Sequence, residues 1–419
     1  MRIAMITSGR LPCIDGVTVT VRERCRRLAA QGHEILLIGP DYAPAFRHYP
    51  DWAAYLGAFE PGVTGVSVPS CATLGMDWER QPLPRAYREM TQYLEAFAPD
   101  IVHVDEPERL AFGFLRRPGI AYARRRGIRV VASYHTNFID YIPDFLGTLP
   151  RWAVGLAQWL APSILSAIYN AYDTTLTATA RTQARLARYG VRNTVLSRFC
   201  GVDTAVFRPM DRSATYFADR FRLDDVDGRT KILLVGRLTP DKGWAFACRA
   251  IAALVQATGP GKLAVLVAGG GELAEMIRRE LGAVLDQAHL LGRVPPDDMP
   301  LLYAHADIHV SASCKETFGL TGLEAAACGI PVVAPRAGGF LDHVDCGRSG
   351  YLYAPDDIQD FLRVMLPLIE SRHLRSQLGE GGRHAALGMD WTESVADWLR
   401  AVVGARDSPL TRDVPNPIK

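Results

Sequence analysis

The stretch Cys314–Gly339, CKETFGLTGLEAAACGIPVVAPRAGG, decides the fold. Lys315 to Gly319 reads as a short loop ending in glycine, and Leu320 to Ala327 holds helix formers with apolar side chains on one face. Ile330 to Ala334 is an apolar, β-branched run bounded by glycine and proline, which predicts a buried strand. Loop, helix and strand in this order make half of a βαβ unit. Two carboxylates stand eight residues apart, Glu316 in the loop and Glu324 about a turn inside the helix. The start of the helix offers the N–H groups of Phe318, Gly319 and Leu320, which together with the helix dipole suit an anion such as phosphate.

An acceptor of hydroxyl hydrogen bonds beside an anion site fits a sugar joined to a diphosphate. An isolated pair would instead read as a helix-capping acid and a solvated helix residue, but the flanking glycines speak against that. The Glu–x7–Glu spacing, the FGL within it and the following GIPVVAPRAGG resemble the signature of retaining nucleotide-sugar glycosyltransferases of family four. The resemblance implies an α/β chain of the GT-B fold, two facing Rossmann-like domains with the active site in the interdomain cleft. It implies that Glu316 holds donor-sugar hydroxyls and Glu324 the nucleotide ribose.

A second match to the family is GRLTPDKG, residues 236–243, after the predicted strand Ile232–Val235. Arg237 and Lys242 lie five apart on a tight loop with Pro240, so a planar fork and a point charge can converge on a diphosphate. With the helix N-terminus at Gly319 and Leu320 they would stabilise the departing phosphate without a metal, as the resemblance also implies. No cofactor is expected beyond the sugar nucleotide as co-substrate. The strand Leu263–Val267 leads to AGGGEL, where Gly269 to Gly271 permit close backbone approach, and Gly270 joins the expected donor site. In the family the HLLGRV turn, with Arg293 and Val294, lies near the nucleobase. Gly16, in the loop CIDGVTV, Gly236 and Phe318 complete the expected donor contacts.

Length and composition set the frame. At 419 residues with 48% hydrophobic content, the chain has material for two domains and two cores. Its eight cysteines lack zinc-ligand or CxxC spacing, which predicts reduced thiols, no metal, no disulfide and a cytoplasmic setting. The first 200 residues hold 23 arginines, no lysine and 17 acidic residues, a net +6, although the whole chain carries only +2. Such a basic half favours an anionic membrane face or simply solvated helix faces, and predicts a cytoplasmic protein able to sit peripherally on a membrane. No nucleic-acid partner and no obligate protein partner is expected.

The N-terminal half opens β-α-β: a buried strand at Ile3–Thr7, a helix through Ala30 and a strand at Glu34–Ile38. This start predicts a parallel sheet with ligands at the carboxyl ends of its strands. After a helix from Arg85 to Phe97, the strand Ile101–Val104 carries Asp105 and Glu106 at its end, placed for an acceptor hydroxyl or for capping the next helix. The strand IRVVASYHT ends at His135, where the resemblance puts a histidine beside the donor sugar and the reaction centre. The segment SYHTNFIDYIP is especially similar to sulfolipid synthases and their relatives that glycosylate diacylglycerol, and it makes Tyr134 and Tyr141, with Asp105, the acceptor residues.

From Trp152 to Tyr172 there is no charged residue. Pro162, Gln158 and Asn170 count against a spanning helix, so a buried or acceptor-facing helix is expected, ahead of one lying on lipid. SRFCGVDTAVFRP resembles the family's hinge and closes an acceptor-binding domain at residue 207, with Cys200 where relatives carry Arg or Asn. Asp225 and Asp227 precede a strand and are not read as a metal site. The donor domain is expected over 208–390, with a helix at about 391–404 crossing back to the first domain and a frayed tail over 405–419. The reading is a retaining, metal-independent hexosyltransferase with catalytic residues His135, Arg237, Lys242 and Glu316 and a membrane-lipid acceptor such as diacylglycerol. A soluble or polysaccharide acceptor, a sugar-nucleotide epimerase of the same fold and an inactive nucleotide-sugar-binding module are the alternatives.

Overall fold

The computed structural model describes residues 1–73, 76–146, 149–224, 226, 228–259, 261–282 and 288–403, without the side chains of 76–78 and 145. Asp225, Asp227 and the tail from Ala405 lie outside the described residues. The chain divides into two α/β units, Met1–His135 with Pro162–Phe199 and the segment from Thr392, and Thr136–Ala161 with Cys200–Trp391. The division therefore falls at Phe199, eight residues before the 207 read from sequence, and it sets 136–161 with the second unit.

The first unit contains β1 (Arg2–Thr7), β2 (Glu34–Pro40), β3 (Gly57–Glu60), β4 (Val63–Val68), the ribbon of β5 (Ser70–Thr73) and β6 (Met76–Pro82), then β7 (Ile101–Asp105), β8 (Arg129–Tyr134), β9 (Thr174–Thr177) and β10 (Thr194–Leu196). Its main sheet runs β10-β9-β8-β7-β1-β2-β4-β3, parallel throughout except for the β3 edge. Continuous apolar runs such as Ile3–Ile6 are fully buried, as a sheet covered on both faces demands. The helix Gly16–Ala30 follows β1, with Asp15 as its N-cap accepting from the Thr18 N–H, and buries Val17, Val21 and Leu28. The helix Trp391–Val403 belongs to this unit by its contacts: Trp398 donates its indole N–H to His103, and the Val402 carbonyl accepts from Arg129.

The second unit contains β11 (Thr230–Val235), β12 (Leu263–Ala268), β13 (Ala288–Gly292), β14 (Ile308–Val310), β15 (Val332–Pro335) and β16 (Gly350–Tyr353), a parallel sheet in the order β13-β12-β11-β14-β15-β16. One apolar core gathers Trp244, Ile251, Val265, Phe361 and Met365, and a second gathers Leu233, Leu266, Leu323, Ala326 and Phe340. The helix Leu320–Ala327 has the bounds expected of it. The strand after it starts at Val332 rather than Ile330. Gly329 at φ +75° turns the chain, and the Ile330 N–H goes back to the Ala325 carbonyl instead of joining the sheet.

The helix Arg151–Tyr169 departs from the expectation of burial. Only Leu165, Ile168 and Tyr169 are buried, while Trp152, Leu156, Trp159, Leu160 and Ile164 face solvent. It is long and apolar enough to cross a membrane by length and composition.

Candidate active site

In the second unit the expected donor residues line the carboxyl ends of the parallel strands, where ligands of open α/β sheets bind. After β11 the chain runs through Gly236 and Arg237 into the 3-10 turn Pro240–Lys242, and Gly243 turns it into the helix Trp244–Thr258. Gly243 is irreplaceable here on two counts. Its φ is +73°, and a Cβ would lie 2.2 Å from the Ala312 carbonyl oxygen. That close approach lays the Lys242 turn against the loop after β14, and the Lys242 Nζ reaches the Glu316 Oε1 at 2.6 Å.

Asp241 sits between the cations, with its Oδ2 at 3.7 Å from Arg237 and 3.9 Å from Lys242. Gly269 presses the β12 loop onto the same turn, since a Cβ on it would lie 1.8 Å from the Gly236 carbonyl oxygen. A Cβ on Gly270 would meet nothing within 4 Å, and the Gly270 carbonyl accepts from the Leu238 N–H. Arg293 follows β13 on the surface, and Val294 packs against the core at the same edge, where the Gly292 carbonyl accepts from the Gly269 N–H.

The Leu320–Ala327 helix begins at Gly319, φ +85°, with no side-chain cap. Its first N–H groups therefore lack an internal partner by geometry. The Phe318 carbonyl is held by His343, whose Nε2 donates at 2.9 Å; burial lowers the His343 pKa to about 4, so the ring is neutral. Glu324, on the second turn, accepts from the Tyr303 hydroxyl at 3.0 Å. Burial pushes its carboxyl up to about 7, against the opposing pull of that hydrogen bond.

Tyr141 corrects an expectation of place. Its helix, Phe138–Phe145, lies in the second unit, and its hydroxyl donates to the Lys315 carbonyl at 3.2 Å. Lys315 in turn pairs with Asp144 and stands 5.5 Å from the Tyr141 ring. This buried tyrosine braces the loop that carries Glu316.

In the first unit His135 closes β8, and its Nε2 bonds the Asp105 Oδ1 at 2.6 Å. Asp105 also takes the Arg24 guanidinium at 3.1 Å and is wholly buried, 0% exposed. Burial opposes its charge, but Arg24, His103 and His135 outweigh it and hold the carboxyl well below its ordinary value. The Trp398 indole donates to His103 Nδ1, which leaves the proton of that neutral ring on Nε2, beside Asp105 and Ser133. Burial lowers the His103 pKa to about 4.

Asp105 is thus no acceptor contact, because no acceptor hydroxyl reaches a carboxylate enclosed by three side chains. Tyr134 is also corrected: 1% exposed, its ring meets that of Tyr169 edge to face inside the unit. Glu106, beside Asp105, accepts from the Ser8 hydroxyl and faces Arg109. Gly16 is exposed at the start of its helix. Among the described residues one trio could hold a cation, Cys13, Asp15 and Glu79, with ligand atoms within 4.8 Å of one another; Glu79 already pairs with Arg109.

Sequence reasoning missed Arg24, His103, Trp398, Asp241, Tyr303 and Lys315. Of these, only Asp241 carries a local signal, lying between the two named cations in a Pro-Asp-Lys turn.

Two Rossmann-like units, with a carboxylate pair and paired cations at the strand ends of the second, define a glycosyltransferase that uses a nucleotide sugar. The "Glycosyltransferase Family 4" model matches residues 14–206, and "Glycosyl transferases group 1" matches 216–385. The chain belongs to glycosyltransferase family four, with the GT-B fold. Sulfoquinovosyl transferase SQD2 of Arabidopsis thaliana is 29% identical over 314 residues, 74% of this chain and 56% of that protein. A GDP-mannose-dependent alpha-mannosyltransferase of Mycolicibacterium smegmatis is 28% identical over 413 residues, 97% of this chain and 99% of its own length. Among solved structures, sucrose-phosphate synthase from Thermosynechococcus elongatus superposes with a TM-score of 0.76 at 19% identity, covering 97% of this chain and 100% of that one.

Proposed function

We propose that the protein transfers a sugar, with retention of anomeric configuration and without a metal, from a nucleotide diphosphate sugar to a hydroxyl of a membrane lipid such as diacylglycerol. The observation that carries the donor side is the Lys242–Glu316 contact of 2.6 Å beside the uncapped start of the Leu320–Ala327 helix. In this reading the donor inserts there. Its diphosphate takes Lys242, Arg237 and the helix N–H groups, and Glu316 is released to accept from sugar hydroxyls. Charge building on the leaving phosphate meets cations and dipoles already in place. Glu324 receives the ribose hydroxyls.

The acceptor oxygen bonds the anomeric carbon on the face the phosphate leaves. Its proton passes to a phosphate oxygen, so Glu316 forms no covalent bond. His135, buried and with Nε2 committed to Asp105, serves this reading only by holding the end of β8 in place. The lipid acceptor is supported by the SYHTNFIDYIP resemblance and by the uncharged helix that follows it. The near full-length match to a GDP-mannose-dependent relative is the reason to include a guanosine diphosphate sugar in the screen.

The test is a thermal-shift screen of uridine-, guanosine- and adenosine-diphosphate sugars on wild type and Glu316→Ala. A donor at a hundred times its dissociation constant adds ~2.7 kcal/mol, a shift of several degrees at most. One nucleotide class should shift wild type and do so less in the mutant; no shift with any donor refutes the donor site. With the donor known, lipid extract in detergent should yield a glycolipid of retained anomeric configuration, at a rate unchanged by a chelator. An inverted product, or glycosylation of soluble acceptors alone, refutes the corresponding part.

A further inference from the structure

A helix on a protein surface normally turns its apolar stripe inward. The helix Arg151–Tyr169 does the reverse. Positions 152, 156, 159, 160 and 164 recur at helical spacing and carry Trp, Leu, Trp, Leu and Ile, all exposed, with both tryptophans 74% accessible. Gly155, Ser163 and Ala167 fill the same outward face. No acidic or basic side chain interrupts the stripe after Arg151. A contiguous apolar surface of this kind needs an occupant.

The charges around it indicate which one. Tyr169, at the packed end of the helix, donates to Glu108 of the helix Pro107–Phe114. One turn beyond Glu108 stands exposed Phe112, followed by exposed Leu115, Arg116 and Arg117. Arg116 and Arg117 thus follow exposed apolar side chains in the unit that holds the Tyr169 end of the helix, Arg151 opens the stripe itself, and the stripe carries no exposed acid to meet arginines in a second copy of the chain. An anionic lipid surface answers both features at once: its headgroups take the arginines, and the indoles sit at the boundary of headgroup and acyl chain, where tryptophan is favoured.

The helix cannot cross a bilayer in this fold. Leu165, Ile168 and Tyr169 are buried, the Tyr169 carbonyl accepts from Asn193, and Thr174 is already in the sheet. It can only lie on the surface.

We infer that the outward face of Arg151–Tyr169, led by Trp152 and Trp159, is the surface by which the protein docks flat on an anionic membrane. The inference deepens the lipid-acceptor reading and rests on it for its purpose, but its test is independent of turnover. Full-length protein is sedimented with phosphatidylcholine vesicles, with and without about 30 mol% phosphatidylglycerol. Lipids brominated near the headgroup serve as quenchers of tryptophan fluorescence.

Anionic vesicles should bind the protein and quench it, and the Trp152→Ser/Trp159→Ser variant should lose binding at least ~tenfold and most of the quenching. Arg116→Ser/Arg117→Ser should weaken binding only to the anionic vesicles, about fivefold per arginine. A retained donor-induced thermal shift certifies that each variant is folded; should the tryptophan variant not fold, the arginine variant and wild-type quenching still decide. Failure of wild type to bind, or unchanged binding by the folded tryptophan variant, overturns the inference. So does a dimer that the tryptophan substitutions dissolve. Intact vesicle docking together with transfer to soluble acceptors alone would instead sink the lipid-acceptor reading and leave the docking surface standing.

Discussion

The two units treat their charges in opposite ways. In the first, Arg24, Asp105, His103 and His135 are buried and bonded to one another, and Trp398 closes the set. In the second, Arg237, Lys242 and Glu316 remain partly open to solvent, Lys242 bonded to Glu316 at 2.6 Å and Arg237 3.7 Å from Asp241. A buried ion pair cannot exchange partners without a large desolvation cost, so it can only orient something else. An open pair can exchange, and that is what a ligand site must do. Position at a strand's carboxyl end is common to both; accessibility separates scaffold from site.

The sharpest way to break this contrast is Arg24→Ala. It leaves Asp105 charged, buried and without its cation, and should cost about 3–5 kcal/mol of stability in a denaturant titration. A loss below about 1 kcal/mol would mean that water reaches Asp105 and that it is open to ligands after all. Next in size, Lys242→Ala should leave the unfolding midpoint within a couple of degrees yet lower turnover by about two to three orders of magnitude, as removal of a group aimed at developing charge does. Equal damage to midpoint and turnover would make Lys242 a strut.

The smallest effect is one of pH. The raised Glu324 carboxyl is protonated below about 7, and ribose hydroxyls prefer the carboxylate, so donor affinity should rise from pH 6 to pH 8 and level off above. Each unit below the pKa costs up to about tenfold. Tyr303→Phe removes the bond that opposes the upward shift, so the midpoint of that profile should move higher; calorimetric titration with the nucleotide at four pH values decides it. A flat profile in wild type would take Glu324 out of the donor site.

Much of the second unit was legible because its signals are local. Glu316, Glu324 and their helix share 26 residues with the glycines that shape the loop, and Arg237 and Lys242 share one turn. Asp105 and Tyr134 were misread because place at a strand's carboxyl end does not tell an open position from a covered one, and Asp105's cation is 81 positions away in sequence, on the helix Gly16–Ala30. Tyr141 met a partner 174 residues distant. For Arg151–Tyr169 the sequence shows an apolar helix on nearly every side, so only packing reveals which stripe is left outside.

The pairing of Lys242 with Glu316 and of Lys315 with Asp144 has a practical side. The chain has only five lysines, all in its second half, and these two flank the loop that bears Glu316. Amine-directed acylation therefore reads this loop at two of five lysines, with exposed Lys262 as a reference site and the α-amino group of Met1 the one amine in the arginine-rich half. Protection of Lys242 by a nucleotide sugar, read from peptide masses, would report occupancy of the pocket without any assay of transfer.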